Sequence, residues 1–154
     1  MRRGWAATVA ALMLIFLTGT LVSVEETSAA RVIKISGTFT AYDDGTVVDS
    51  ATNLMWANRD NTSARITWEQ ARSYCQGYNA GSYTGWRMPT LSELATLCAS
   101  SGYGAVISLS ESAKSGVWAS DRDGNNAGIF SFKSCEKGFI DYRGGYFALP
   151  VRNK

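Results

Sequence analysis

Beyond Arg31 the apolar positions come in short runs: Val32, Ile33 and Ile35, then Phe39 and Tyr42, then Thr46-Val47-Val48. Short β-branched and aromatic runs of this kind predict strands over about 32–42 and 46–49. Asp43-Asp44-Gly45 between them is a hairpin signal, because glycine tolerates positive φ. Asn53-Leu54-Met55-Trp56 reads as a further strand. The period then changes. Trp68, Ala71, Cys75 and Tyr78 recur at intervals of three and four, one face of a helix over 67–78, with Gly77, Gly81 and Gly85 ending it. Thr67-Trp68-Glu69-Gln70 has the spacing of a capping box at its start. The same box returns at Thr90-Leu91-Ser92-Glu93, directly after Pro89, and Leu91, Leu94, Ala95 and Cys98 predict a second helix over 90–98. Past Ser100 the pattern is β-like again, in Ile129-Phe130-Ser131-Phe132 and Phe139-Ile140-Asp141-Tyr142, with Cys135-Glu136-Lys137-Gly138 as the hairpin loop between them. Tyr146-Phe147-Ala148-Leu149, before Pro150, is expected to close the sheet. The whole implies an α+β fold, two short helices packed on one small twisted antiparallel sheet.

The first thirty residues follow another logic. Arg2 and Arg3 precede a stretch from Trp5 to Val24 without a charge, and Ser28-Ala29-Ala30 follows as a small-residue cleavage pattern. This is the layout of a signal peptide, so residues 1–30 are expected to be removed and residues 31–154 to form one domain. The competing expectation is a retained anchor, and contact with a membrane is expected only in that case. Export to the periplasm or the extracellular space follows from either form of processing.

Composition narrows the chemistry. Lys and Arg number 15 against 13 Asp and Glu, a net charge of +2 that calls for no nucleic-acid partner. Histidine is absent. That removes Ser-His-Asp and Cys-His nucleophilic systems and most zinc sites. Cys75, Cys98 and Cys135 allow three alternative single disulfides in an oxidising compartment, and the spacing does not choose among them.

GTVVDSATNLMW (45–56), TWEQARSYC with GSYTGWRMPTLSELATL (67–97) and VWAS (117–120) resemble the Lcl C-terminal domain family. The resemblance implies a C-type-lectin-like fold. It also implies binding of glycans, with sulfated or acidic polysaccharide first, since a named member is the C-terminal domain of a collagen-like bacterial adhesin. No cofactor and no catalysis are implied; the related architecture of formylglycine-generating enzymes works through a reactive cysteine pair that has no counterpart here. Members often end in a strand whose cysteine pairs with the equivalent of Cys75, whereas this chain ends Ala148-Leu149-Pro150-Val151-Arg152. The departure implies that Cys98 pairs with Cys135 and that Cys75 is a buried thiol.

Within that frame Trp56, Trp68, Trp86, Arg87, Pro89 and Trp118 are expected to be structural, the tryptophans in the core and Arg87 in an ion pair with Glu93 or Asp49. Tyr83 and Tyr103 are the aromatics better placed for a ligand. The C-terminal third is the more basic part, and Lys133, Lys137, Arg143 and Arg152, beside Lys114, Arg122 and Lys154, make a ligand surface if they share one face. Asp121-Arg122-Asp123-Gly124-Asn125-Asn126 begins like a calcium loop but lacks the later Gly and Glu, so it is expected to be a polar turn and no metal site is expected. The expected partner is an extracellular glycan, or an envelope protein if the domain serves assembly.

Overall fold

The computed structural model describes residues 29–62 and 64–154. The leader expected over 1–30 lies, up to residue 28, outside the described residues. Among the described residues no helix is long and apolar enough to cross a membrane.

The chain forms eight strands and two α-helices in the order β1 (Val32–Ser36), β2 (Phe39–Tyr42), β3 (Thr46–Asp49), β4 (Leu54–Ala57), α1 (Trp68–Gln76), α2 (Leu91–Ala99), β5 (Val117–Asp123), β6 (Asn126–Ser131), β7 (Glu136–Asp141) and β8 (Val151–Asn153), with three short 3-10 turns between them. The class is α+β, as the pattern predicts, but the strands make two sheets where one was expected. A five-stranded sheet runs β1-β2-β3-β4-β8 and a three-stranded sheet β5-β6-β7, and every pairing within them is antiparallel.

Three further departures have local causes. The run expected as one strand over 32–42 breaks at Gly37, which takes φ +60°, and folds back as the β1–β2 hairpin. The β6–β7 turn comes earlier than expected, over residues 132–135, with Cys135 at φ +55°, so Glu136, Lys137 and Gly138 lie in β7. The segment 146–149 makes single bridges through Tyr146 and Phe147 rather than a strand, and the sheet is closed by β8 after Pro150.

The helices start where the capping boxes say. Thr67 accepts from the Gln70 N–H and Gln70 accepts from the Thr67 N–H; Thr90 and Glu93 repeat the exchange. α2 inserts Leu91, Leu94 and Leu97 into a core built with Phe39, Val47, Trp56, Ile107, Phe130, Phe147 and Leu149. α1 covers a second cluster around Trp118 with Trp68, Ala71 and Cys75. The five-stranded sheet is covered on its other face too, where Trp86 lies over Val48 and Met55. That double cover explains why all of β3 and β4 is buried and shows no alternation.

Candidate functional site

The Trp86-to-Thr90 segment, which leads into α2, is tied by backbone hydrogen bonds to β8 and β5. Arg87 exchanges backbone hydrogen bonds with Val151 of β8, and the Ser120 N–H of β5 donates to the Pro89 carbonyl. The Arg87 guanidinium forks onto Glu93, at 2.8 and 2.7 Å, while Glu93 Oε2 also accepts from the Thr90 N–H at 2.8 Å. Burial pushes the Glu93 carboxyl up, but the hydrogen bonds from Arg87 and Thr90 outweigh it and leave it below its ordinary value. The same fork raises Arg87. Asp49, the alternative partner, instead accepts from the Thr38 and Thr52 hydroxyls and the Ala51 N–H.

Between this segment and α1 lies a groove of about 540 Å³ lined by Trp68, Arg72, Gln76, Arg87, Met88, Thr90 and Ser120. Trp68, Arg72 and Gln76 recur every four residues, so the helix sets them in one row. Trp68 is fixed by its indole N–H, which donates to the Ala119 carbonyl at 2.7 Å. Two guanidiniums lie over its ring, Arg72 at 5.9 Å and Arg122 at 4.6 Å. Arg122 also sits 4.9 Å from the Tyr142 ring, and Arg143 sits 6.0 Å from it. Arginine and aromatic groups thus follow one another from the groove to the end of β7. Among the described residues Arg72 has no carboxylate partner, whereas Arg87, Arg122 and Arg143 lie against Glu93, Glu69 and Asp141. The row offers an apolar floor, a cation without an acid, and hydroxyl and amide groups that both donate and accept.

A larger hollow, about 640 Å³, lies against Glu69, Gln70, Ser73 and Tyr74 of α1 and includes Ile66. Its one charged lining residue is the acid Glu69, so it suits an anion poorly.

The residues expected to bind ligand are dispersed. Tyr83 and Arg152 meet, the guanidinium 4.9 Å from the ring, in a cleft of about 470 Å³ with Lys154. Tyr103 packs on Phe132 at 5.6 Å and lines a smaller hollow with Lys114. Lys133 is exposed in the β6–β7 turn, its N–H donating to the Lys114 carbonyl, and Lys137 is exposed on β7. Arg143 is held by Asp141 and lowers that carboxyl strongly. Lys114 is held by Glu111. The basic residues of the C-terminal third therefore divide among β5, β7, β8, three turns and the chain end after β8, and the groove cation that meets no carboxylate among the described residues, Arg72, comes from α1. Arg72 and Gln76 were not singled out from the sequence, although their spacing from Trp68 was readable there.

The remaining residues settle into the framework. Trp56, Trp68, Trp86 and Trp118 are all buried. The Trp86 and Trp118 N–H groups donate to the Tyr83 and Ile66 carbonyls. Asp121 Oδ2 accepts from the Leu91 N–H at the start of α2, 2.7 Å away. Cys98 is bonded to Cys135, and Cys75 is a buried free thiol pushed up to about 12 by desolvation.

A family model described as the Lcl C-terminal domain matches residues 45–152, which span every element from β3 to most of β8. No curated protein matches the chain.

Proposed function

The chain belongs to the Lcl C-terminal domain family, and from that premise we propose that it is an exported, non-catalytic binding domain that takes an acidic or sulfated polysaccharide along the Trp68 groove. The observation that carries the reading is Arg72, a guanidinium beside an aromatic ring and facing no carboxylate among the described residues. A sulfate or carboxylate on the ligand supplies the missing acid in fork geometry. Gln76, Thr90 and Ser120 match sugar hydroxyls, which also donate and accept. Nothing in the groove lining is a carboxylate or thiol, and the free thiol of the chain is buried elsewhere. The disulfide suits an oxidising compartment and so supports export. The lectin-like architecture implied by the sequence is part of this proposal.

Titration calorimetry with a sulfated glycosaminoglycan oligosaccharide tests it. Arg72→Gln is expected to weaken binding by about tenfold, about 1.4 kcal/mol, without moving the melting temperature, and added salt is expected to weaken the wild type more than the variant. Unchanged affinity in Arg72→Gln, or equal affinity for a neutral glucan, defeats the reading.

A second reading, a component of envelope assembly that contacts another protein, draws on β1. Val32, Ile33 and Ile35 are 53%, 63% and 68% exposed on an edge strand, the kind of apolar edge that proteins normally cover. No signal on a glycan array, with or without competing salt, together with a protein co-purifying through β1, favours this reading instead.

A further inference from the structure

Arg31, the first residue after the small-residue run, is already held as a chain terminus is held. Its backbone N–H donates to Asp43 Oδ1 at 2.8 Å and its Nε donates to Asp43 Oδ2 at 3.0 Å. The Asp43 N–H returns a bond to the Arg31 carbonyl at 3.0 Å, and Val32 pairs with Tyr42 in the next rung. Both carboxylate oxygens of Asp43 are thus turned to one residue, 12 positions earlier. The residues before it are used differently. Ala29 and Ala30 line two adjoining hollows, about 420 Å³ with Asp43, Asp44 and Tyr83, and about 470 Å³ with Tyr42, Val48, Met55, Tyr83, Arg152 and Lys154. In the second, Arg152 has no carboxylate partner among the described residues, and its Nε is buried without a hydrogen-bond partner.

We propose that the Ala30–Arg31 bond is a processing site, that Asp43 receives the amino terminus its cleavage creates, and that loss of Ala29 and Ala30 opens the Tyr83–Arg152 cleft to an anionic ligand. The inference rests on the reading of the chain as exported. The co-reactants are water and a leader-type endopeptidase of the export route. Water oxygen adds to the Ala30 carbonyl carbon and the C–N bond breaks. Ala30 leaves as a carboxylate, and the Arg31 nitrogen takes up protons and becomes an α-ammonium. Before cleavage one N–H meets the Asp43 carboxylate at Oδ1; afterwards a full positive charge stands at the same place, so a hydrogen bond charged on the acceptor side alone becomes an ion pair. The charged groups around that ammonium are Asp43, Asp44 and the guanidinium of Arg31 itself, with Arg152 and Lys154 lining the adjoining hollow and Tyr42 and Tyr83 the neighbouring phenols. The vacated cleft is apolar at Val48 and Met55, aromatic at Tyr83, and cationic at Arg152 and Lys154. It fits a carboxylate or sulfonate carried on an apolar body.

The full chain, expressed with export and recovered from the periplasm or medium, is sequenced from its amino terminus. Arg31 is the expected first residue. An exported chain that begins elsewhere overturns the inference and leaves the export reading standing, whereas a cytoplasmic chain with its leader intact overturns both. Competitive labelling of the α-amine with acetic anhydride across pH then reads its pKa. It is expected to lie about half a unit or more above the usual 7.7–8.0, to fall back in Asp43→Asn and to be kept in Asp43→Glu. Equal values in wild type and Asp43→Asn, with both folded by circular dichroism, overturn the docking. Arg152 is expected to react with phenylglyoxal several-fold faster in the processed chain than in uncleaved Ala30→Leu extracted in nonionic detergent, and 8-anilino-1-naphthalenesulfonate is expected to protect it. Equal rates, or no protection, overturn the opening of the cleft.

Discussion

At the scale of single residues the strongest local statement is the Arg87–Glu93 fork. Glu93 is the less exposed partner, at 20% against 38%, and a third acceptor bond, from Thr90, falls on it. Arg87→Gln strips the cation from a carboxylate that is still half-buried, a change expected to cost about 1–2 kcal/mol at pH 7. The pH dependence has a definite sign. The folded Glu93 titrates below its unfolded value of about 4.3, so its contribution is present above that value and is lost as pH falls through the folded one. The stability gap between wild type and Arg87→Gln is therefore expected to narrow on going from pH 7 to pH 3, as urea denaturation at each pH measures; a gap that widens in acid contradicts the account. Cys75 makes the opposite kind of statement. Its thiol is fully buried and pushed up to about 12, so it presents almost no thiolate at pH 8. Labelling by an aromatic disulfide reagent is expected to proceed only as the protein unfolds, while Cys75→Ala leaves binding unchanged; rapid labelling of the native chain defeats this.

Elements were readable in the sequence wherever a short-range rule governs them. Both helices start at the capping threonine, because the box is a local exchange of hydrogen bonds that Thr67 with Gln70, and Thr90 with Glu93, carry in four consecutive residues. The two boxes are not equal in consequence. Thr67 and Gln70 exchange their bonds with each other, whereas the Thr90 box shares Glu93 with Arg87; in both, the adjoining N–H is taken from outside the helix, that of Trp68 by the Tyr142 carbonyl and that of Leu91 by Asp121 of β5. Thr67→Ala is expected to cost about 1 kcal/mol and Thr90→Ala measurably more, read from thermal denaturation of the two variants side by side; equal losses deny the coupling. The strands were less legible. The residues 32–42 interleave apolar side chains with Lys34, Ser36, Thr38 and Thr40 and read as one β run, and only the positive φ of Gly37, where any side chain would meet the Ser101 carbonyl at 3.0 Å, turns them into a hairpin. That contact lies between residues far apart in the chain, and no local pattern reports it. The groove was half legible: the Trp68, Arg72, Gln76 row is a helical spacing, but its opposite wall is set by bonds from Arg87 to Val151 and from Ser120 to Pro89.

For the whole molecule the question is what makes one unit of two sheets. The disulfide does part of it by fixing the end of α2, at Cys98, to the β6–β7 turn across 37 residues, a closure worth about 4 kcal/mol by chain entropy. The rest runs through the segment 146–150, which the sequence suggested as a strand and which the fold uses as a seam. Phe147 exchanges backbone bonds with Gly116 and Trp118 at the β5 end, the Ala148 carbonyl accepts from the Asn61 N–H while the Ala148 N–H donates to the Asn61 side chain, and the Pro150 carbonyl accepts from the Ala57 N–H of β4. A segment whose hydrogen bonds go first to one sheet and then to the other belongs to neither, and its buried side chains Phe147, Ala148 and Leu149 divide between the two main clusters of the core. Asn61 is the side chain at the middle of the seam: its Oδ1 accepts from the buried Ala148 N–H at 3.0 Å and its Nδ2 donates to the Ala64 carbonyl at 2.9 Å. Asn61→Ala leaves the Ala148 N–H without that acceptor, at a cost of about 1–3 kcal/mol. Because the seam joins both sheets, the loss is expected to shift one cooperative unfolding transition to lower urea, with near-ultraviolet dichroism and backbone dichroism still moving together. Hydrogen exchange at Ala148 is expected to quicken together with exchange at its neighbours in β5 and β4. A variant that unfolds in two separated steps shows instead that the sheets are stable apart, and that the seam only aligns the groove wall against α1.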